Sequence, residues 1–586
     1  MTPAEGQEQA STKSERSAED SQAPMGMGAT NTLGRVMASV GKLNEVPVHF
    51  EPTMDVPNGG VLLSLPGLTS NGLLRHTDRF FQLPAGYYGI VSIFLLVALM
   101  ALCRLKQPES LRYCAPGEWG KLLGLDRIPE VRTLRKKLKI LSKGEVSPWA
   151  AELCQDWMQA NPQAAGVLYV DGHVRVYHGE QTELPRHYVA RERLCMRATV
   201  DYWVNAMDGQ PFFLLNQAVD PGLVQVLSDQ IIARLLAEVP GQPCEQELQA
   251  NPLLHRFTLV FDREGYSPDF LLQCKQQRIA CLTYHKYPEA DWPPEEFTEY
   301  AMTTREGSAL TVRLAERGVQ LSNDLWVREV RKLCDTGHQT AIISTDYMSD
   351  LRPIAAQMFG RWSQENFFRY MRQHFNLDRL VDYRTEALAD TQRLVNPAWR
   401  RLDAQVRTKV SLLSRRLAQF GALQLHGDIE PEHVDRYEHA KAQLQQEISC
   451  LQSEIAQLKL ERKAAPHHIQ AAQLAEKDRF ERLNTHTKNF VDTIKMIAYR
   501  AETAMAHILR EKMSRLDDAR SLLRQLYCTD ADLLPDPQAA TLTVRLHHMA
   551  NRSADLAIRH LCDELNATAT LFPGTNLRLV YDFVPD

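Results

Sequence analysis

The sequence predicts a mixed α/β sheet core with a β-rich insertion, flanked by a helical N-terminal region and a long helical C-terminal region. Three observations carry that reading. Between residues 165 and 285, apolar runs of strand length alternate with turn signals and amphipathic stretches in the order β-β-β-α-β-α-β. Residues 290–345 break the rhythm with "SALTVRLAERGVQL", "DLWVREVRKL" and "TAIIST", all strand-like. Beyond residue 384 the chain reads as almost wholly helical. At 586 residues it exceeds what one hydrophobic core usually serves, so roughly two to four domains are expected.

The elements follow in order. Residues 1–35 read as a tail; the first 30 are rich in Ser, Glu, Gln and Ala without an apolar core, which predicts disorder and not a signal peptide. Residues 36–160 form a helical N-terminal region, a candidate for DNA binding. Within it "GIVSIFLLVALMALC" (89–103) carries no charge. Its strongly apolar part, Ile90 to Cys103, is 14 residues long, short of the roughly 20 that span a bilayer. A buried core helix is expected there, and no membrane partner. A basic helix follows: between Lys121 and Glu145 there are eight Lys/Arg against three Asp/Glu. Arg132, Arg135, Lys136 and Lys137 on it present either a solvated face or a surface for DNA phosphates.

From 165 the period shortens. "AGVLYVDGHVRVYHGE" reads as two runs around an Asp-Gly turn, a β-hairpin signature, and "RATVDYWVNAMDGQPFFLLNQAV" supplies two further strands around Asp208-Gly209. A helix at 221–238, the strand "FTLVFD", a helix from Pro268 and the strand "RIACLTYHK" complete the core. After the insertion, helix resumes at 347 and continues through "IAAQMFGRWSQENFFRYMRQHF". Farther on, Val434, Tyr437, Lys441, Leu444, Ile448, Leu451, Ile455 and Leu458 keep a 3-4 spacing. That seam suits a coiled coil, and so a homodimer, or a long helical hairpin.

Composition narrows the function classes. Charged residues make up 24% and apolar ones 44%, and the net charge of -5 advertises no global affinity for nucleic acid, so any polyanion site must be a local patch. The eleven cysteines show no CxxC pair and no Cys/His ligand spacing. They predict reduced thiols in a cytoplasmic protein and argue against structural zinc.

Three carboxylates stand at positions of interest: Asp171 closes the run "GVLYVD", Asp262 closes "FTLVFD", and Glu365 lies in the helix "GRWSQENFF". If the first and fourth strands are neighbours, the two aspartates lie side by side, and a helix packed across that edge brings in Glu365. Three hard oxygen donors at one point suit Mg²⁺ or Mn²⁺, and a pair of such ions drives in-line displacement at a phosphodiester. Each acid also has a local reading: Asp171 as a turn residue, Asp262 as the cap of the turn that Gly265 and Pro268 complete, Glu365 as a solvated helical charge. Asp346, closing "AIISTD", is a rival strand-end acid that reads as a helix N-cap.

On "YVDGHVRVYHG", "LVFDREGYSPDF" and "FGRWSQENFFRYMRQHFNLDRLVDY", the chain resembles the DDE transposases of bacterial insertion sequences over roughly 116–385. That resemblance implies a ribonuclease H-like catalytic domain at 161–385, with the β-rich insertion at about 290–345. Outside that resemblance, the C-terminal region, 386–586, reads from its own periodicity as helical with a short coiled-coil segment at about 434–460. The resemblance implies Asp171, Asp262 and Glu365 as catalytic metal ligands, in the family's order along the chain. Many members carry Tyr, two residues, Arg, three residues, Glu, six residues, Lys. Here Arg361, Glu365 and Arg372 keep the spacing, with Arg372 for Lys and Met358 for Tyr. Arg361 and Arg372 would neutralise bound phosphate, Lys286 would reach DNA, and Trp326 would stack on an extruded base. The implied activity is cleavage and joining of double-stranded DNA at element ends. The alternatives are a transposase-derived DNA-binding protein without cleavage and a coiled-coil scaffold.

Overall fold

Two large sheets and a helical core organise the chain, in a computed structural model that describes residues 31–303, 309–424, 433–549 and 552–583. Helix α1 (Thr32–Ser39) precedes strand β1 (Thr53–Val56), then α2 (Ile90–Leu102), α3 (Val131–Leu141) and α4 (Val146–Ala160). The core strands are β2 (Val167–Val176), β3 (Arg186–Val189), β4 (Leu194–Ala206), β5 (Pro211–Gln217) and β6 (Thr258–Phe261). Helix α5 (Pro268–Gln276) leads to β7 (Ala280–Tyr284), followed by β8 (Thr298–Thr303), β9 (Ala309–Gln320), β10 (Trp326–Leu333) and β11 (Gln339–Ser344). Helices α6 (Leu351–Phe359) and α7 (Trp362–Phe375) come next, then β12 (Thr385–Glu386), β13 (Arg393–Val395), α8 (Pro397–Gln424) and α9 (Val434–Ala464). The chain continues through β14 (His468–Gln470), β15 (Arg482–Leu483), α10 (His486–Arg510) and α11 (Ala519–Leu526). It closes with β16 (Ala531–Asp536), β17 (Thr541–Leu546), α12 (Arg552–Ala567) and β18 (Arg578–Phe583).

The architecture is mixed α/β. The larger sheet has ten strands in the order β3-β4-β2-β6-β7-β11-β10-β9-β8, with β5 also paired to β4. Strands β2, β6 and β7 are parallel, while β4 and β5 are antiparallel to their neighbours. The strands of 290–345 join this sheet through β11, which pairs antiparallel with β7. Strand β6 is buried along its whole length, as its apolar "TLVF" requires of a central parallel strand.

Strand β2 corrects the expected hairpin. It runs unbroken through Asp171 and Gly172, which pair with Trp203 and Tyr202 of β4. An Asp-Gly hairpin turn needs left-handed backbone at Gly, and Gly172 has none. Gly is placed there for space: a Cβ would lie 3.0 Å from the Tyr202 ring. The second Asp-Gly does turn the chain, between β4 and β5, with Gly209 at φ 81°.

The reading of an almost wholly helical chain beyond 384 also needs correction. Strands β16, β17 and β18 form a second sheet with β1, in the order β1-β16-β17-β18. β17 alternates buried and half-buried residues along "TLTVRL", the period of a one-sided strand. The heptad stripe of α9 is met within the chain: α8 and α9 pack as a hairpin, burying Ile448, Leu451 and Ile455. Lys409–Glu454 (2.6 Å), Arg416–Glu447 (2.8 Å) and Arg462–Asp403 (2.6 Å) tie the two helices. Of the expected tail, residues 1–30 lie outside the described residues, and 32–35 belong to α1, where Arg35 pairs with Asp126 at 2.6 Å.

Helix α10 threads the helical core and contacts α2, α3, α4, α11 and α12. Phe490 on it meets Phe81 and Phe94 edge-on. Helix α2, apolar on every face, is buried from Ile93 to Leu102. Among the described residues no helix is long and apolar enough to cross a membrane. Glu502 of α10 is fully buried and is held by Arg104 (2.7 Å), Arg520 (3.2 Å) and the Tyr370 hydroxyl. Through Tyr370 this network ties α7 to α10.

Candidate active site

The parallel register of β2 and β6 pairs Val170 with Phe261, so the next residues, Asp171 and Asp262, leave adjacent strands side by side. Asp262 also caps the turn that follows: its Oδ1 accepts the Glu264 N–H at 2.9 Å, and its backbone carbonyl accepts the Thr283 hydroxyl at 2.9 Å. The local reading of Asp262 as a cap and its place beside Asp171 are therefore compatible. Asp171 is recessed, its side chain 22% exposed. Burial first, then the negative charges of Asp262 and Glu264, push its carboxyl up to about 7 against the opposing pull of Arg361.

Helix α7 covers the same face of the sheet. Fully buried Gln364 clamps it there, donating to Asn205 Oδ1 at 2.9 Å and to the carbonyls of Tyr169 (3.3 Å) and Trp203 (3.4 Å). His173 of β2 stacks on Phe368 and meets Asp378 at 2.6 Å. The helix expected to resume at 347 and continue to 375 is in fact two, α6 and α7. It breaks at Gly360 and Arg361, where a Cβ on Gly360 would lie 3.0 Å from the Tyr169 hydroxyl. Glu365 thus falls in the first turn of α7, where a helix favours a carboxylate. Met358 ends up on α6, buried against Tyr169, Val260 and Leu282.

Arg361 links the acids. It lies 3.6 Å from Asp171 and 3.3 Å from Glu365, with its own side chain 12% exposed and that of Glu365 61% exposed. Its buried Nη1 has no hydrogen-bond acceptor. An orphaned guanidinium N–H beside two carboxylates is a ready donor for an incoming oxyanion. The charge of Arg372, two turns beyond Glu365, acts on Asp378, helping His173 and Arg191 to hold that carboxyl low.

Asp171, Asp262 and Glu365 do not bring their oxygens within 4.8 Å of one another. Among the described residues the group of three that does is Asp55, Asp532 and His547, on the other sheet. There buried Asp532 accepts the Asp55 N–H at 3.0 Å and meets His547 at 3.1 Å, which already satisfies it.

The remaining expected residues sit as follows. Lys286 is exposed just after β7, where its charge acts on Glu264. Arg132 and Lys136 are exposed on α3. Arg135 is paired with Glu109 at 2.5 Å, and Lys137 donates to the Tyr88 carbonyl at 2.8 Å, so these two are committed within the protein. Trp326 sits at the start of β10 and so at the other end of the sheet from Asp262, since Arg328 pairs with Ser344 and Ser344 with Leu282. Asp346 lies toward that far end too and caps the turn at Met348 and Ser349, not the helix itself. Sequence reasoning missed Glu264, Gln364, His173 and Asp378. The "DREG" spacing, an acid two residues after Asp262, was the one available signal among them.

The sequence model of a family described as "Transposase protein" matches residues 26–585. No curated protein matches the sequence. Among solved structures, the chain is similar to a piggyBac transposase synaptic complex with hairpin DNA, determined by cryo-EM. The match has 9% identity and covers 83% of this chain and 88% of that one, with a TM-score of 0.25. A score this low equates no part of the two folds.

Proposed function

Because the chain belongs to the family described as "Transposase protein", we propose that it is an active DDE transposase that cuts and joins double-stranded DNA at the ends of a bacterial insertion sequence. The observation that carries this reading is the placement of Asp171 and Asp262 at the ends of neighbouring parallel strands, with Arg361 bridging Asp171 to Glu365 on a helix beyond a β-rich insertion. The same arrangement supports a ribonuclease H-like core at 161–385.

The donor set fits a divalent cation. Asp171, with Asp262 and Glu264 crowding it, is a carboxylate whose charge the fold leaves undercompensated, and hard oxygen donors suit Mg²⁺ or Mn²⁺. Asp171, Asp262 and Glu365 would hold the metal, which supplies Lewis-acid activation of the attacking oxygen at phosphorus. The protein's own part is positional. Arg361 offers its orphaned Nη1 to the phosphate, Gln364 and the His173–Asp378 pair hold α7 on the sheet, and exposed Lys286 receives the flanking backbone. Water first replaces the 3′-oxygen at phosphorus, leaving a 3′-hydroxyl; that hydroxyl then attacks a second phosphodiester and displaces its 3′-oxygen. No protein nucleophile takes part, and a homodimer would bring two ends together.

The test is metal-dependent nicking of DNA carrying the element's end by wild type and by Asp171→Asn, Asp262→Asn and Glu365→Gln. Each variant should lose cleavage while keeping its thermal unfolding and DNA affinity. Cleavage by any one of them at the wild-type rate removes that residue from the site. A wild-type protein that binds DNA but never nicks it would leave the non-cleaving DNA-binding protein in place of the transposase.

A further inference from the structure

A cleft of about 50 Å³ opens where the buried face of α3 meets α2 and α10, with Val97, Met100, Leu134 and Leu138 among its apolar walls. Lys495 is the most buried of the charged residues lining it, its side chain 8% exposed. The nearest carboxylate, Asp492, is 3.9 Å away, and the same oxygen is already engaged by Lys488 at 2.7 Å. Among the described residues the Lys495 ammonium makes no hydrogen bond. A buried ammonium with no hydrogen bond and only a long, shared ion pair is costly to keep in an apolar wall.

At the rim, Lys106 and Arg379 are exposed and make no ion pair among the described residues. Arg135 is neutralised by Glu109, leaving the rim with two uncommitted cations. We propose that this cleft is a phosphate site. It takes free phosphate or a terminal phosphate monoester, with the oxyanion reaching Lys495 and its outer oxygens facing Lys106 and Arg379. An internal diester carries a sugar on each side and does not enter a recess of this size. The site is independent of the nuclease reading.

Lys495 faces Lys488 and Asp492 on its own helix and Arg175 from β2. Arg135 from α3, Lys106 and Glu109 after α2, and Arg379 after α7 share its cleft. Burial, then Lys488, hold its ammonium down at about 7. A bound anion raises it again, so binding at pH 8 draws protons from the buffer.

Calorimetric titration of inorganic phosphate into the full chain at pH 8, in two buffers of different ionisation enthalpy, tests the site. Saturable binding with proton uptake is expected. Lys495→Met should weaken it at least about tenfold and abolish the uptake, and Arg379→Ala should weaken it roughly threefold or more. Arg379 is exposed, so its variant decides the matter if the Lys495 variant does not fold. A 5′-phosphorylated oligonucleotide that competes where its 5′-hydroxyl twin does not identifies a nucleic-acid end as the source. If neither competes, free phosphate is the ligand. Absence of phosphate binding, or wild-type affinity in both variants, overturns the proposal.

Discussion

Arg361 stands 3.6 Å from Asp171 as an ion pair without a hydrogen bond, and its Nη1 remains without an acceptor. The pair is therefore incomplete in a way a phosphate oxygen completes. Arg361→Ala should slow cleavage on the order of ten- to a hundredfold, the worth of one charge-assisted hydrogen bond at about 1.5–3 kcal/mol. Lysine at 361 restores less than full activity, because one ammonium cannot span Asp171 and Glu365 together. Arg372→Lys should be tolerated, since Arg372 acts through charge on Asp378. Rates on an end substrate, with thermal unfolding as the folding control, settle it; full activity in Arg361→Ala would sink the phosphate role.

On α3 the prediction divides neighbours. Arg132 and Lys136 are exposed, whereas Lys137 is bonded to Tyr88. Replacing Arg132 and Lys136 by Ala should flatten the log–log salt dependence of DNA binding by roughly 0.9 per lost contact, and Lys137→Ala should leave the slope as it is. An unchanged slope in the double variant means that this face of α3 does not meet DNA.

Glu502 is fully buried between two arginines. Glu502→Gln leaves Arg104 and Arg520 without a countercharge and should cost about 3–5 kcal/mol in urea unfolding. Tyr370→Phe, which removes one hydroxyl from the same network, should cost nearer 1 kcal/mol. Equal, small effects from both would show that the network is not taut.

Lys495 carries a pH signature. Its ammonium is held down at about 7 in the fold, against about 10.4 in an unfolded chain. Between those values the unfolded chain binds the extra proton, so wild-type stability rises with pH there, by up to about 1.4 kcal/mol per unit, and is flat below. Lys495→Met lacks that dependence and should be the more stable protein, with an advantage larger at pH 7 than at pH 9.5. Urea midpoints at the two pH values measure it; a pH-independent difference contradicts the buried-charge account.

How much of this was legible depends on whether the signal was local. Asp262 was legible because "TLVF" is a buried strand and "DREG" ends it. Asp171 was legible as an acid, but the strand around it was not, because Asp-Gly usually turns and here Gly172 answers to the Tyr202 ring across the ladder. The mixed α/β class followed from the alternation of periods, whereas the break at Gly360 depends on the Tyr169 hydroxyl beneath it. Nothing near Glu502 announces two arginines drawn from residues 104 and 520. The pairing of β1 with β16 joins residues such as Val56 and Ala531, a relation that only the assembled fold contains.

That last pairing dictates when the protein can fold. Among the described residues β1 has its one ladder with β16, and α2 is covered by α10, so the N-terminal helices have no finished surface until residues 486–583 exist. On the ribosome the apolar face of 90–102 must wait through several hundred residues of synthesis for its cover. During that wait it is a target for chaperones, and any fragment that stops short of α10 lacks that cover.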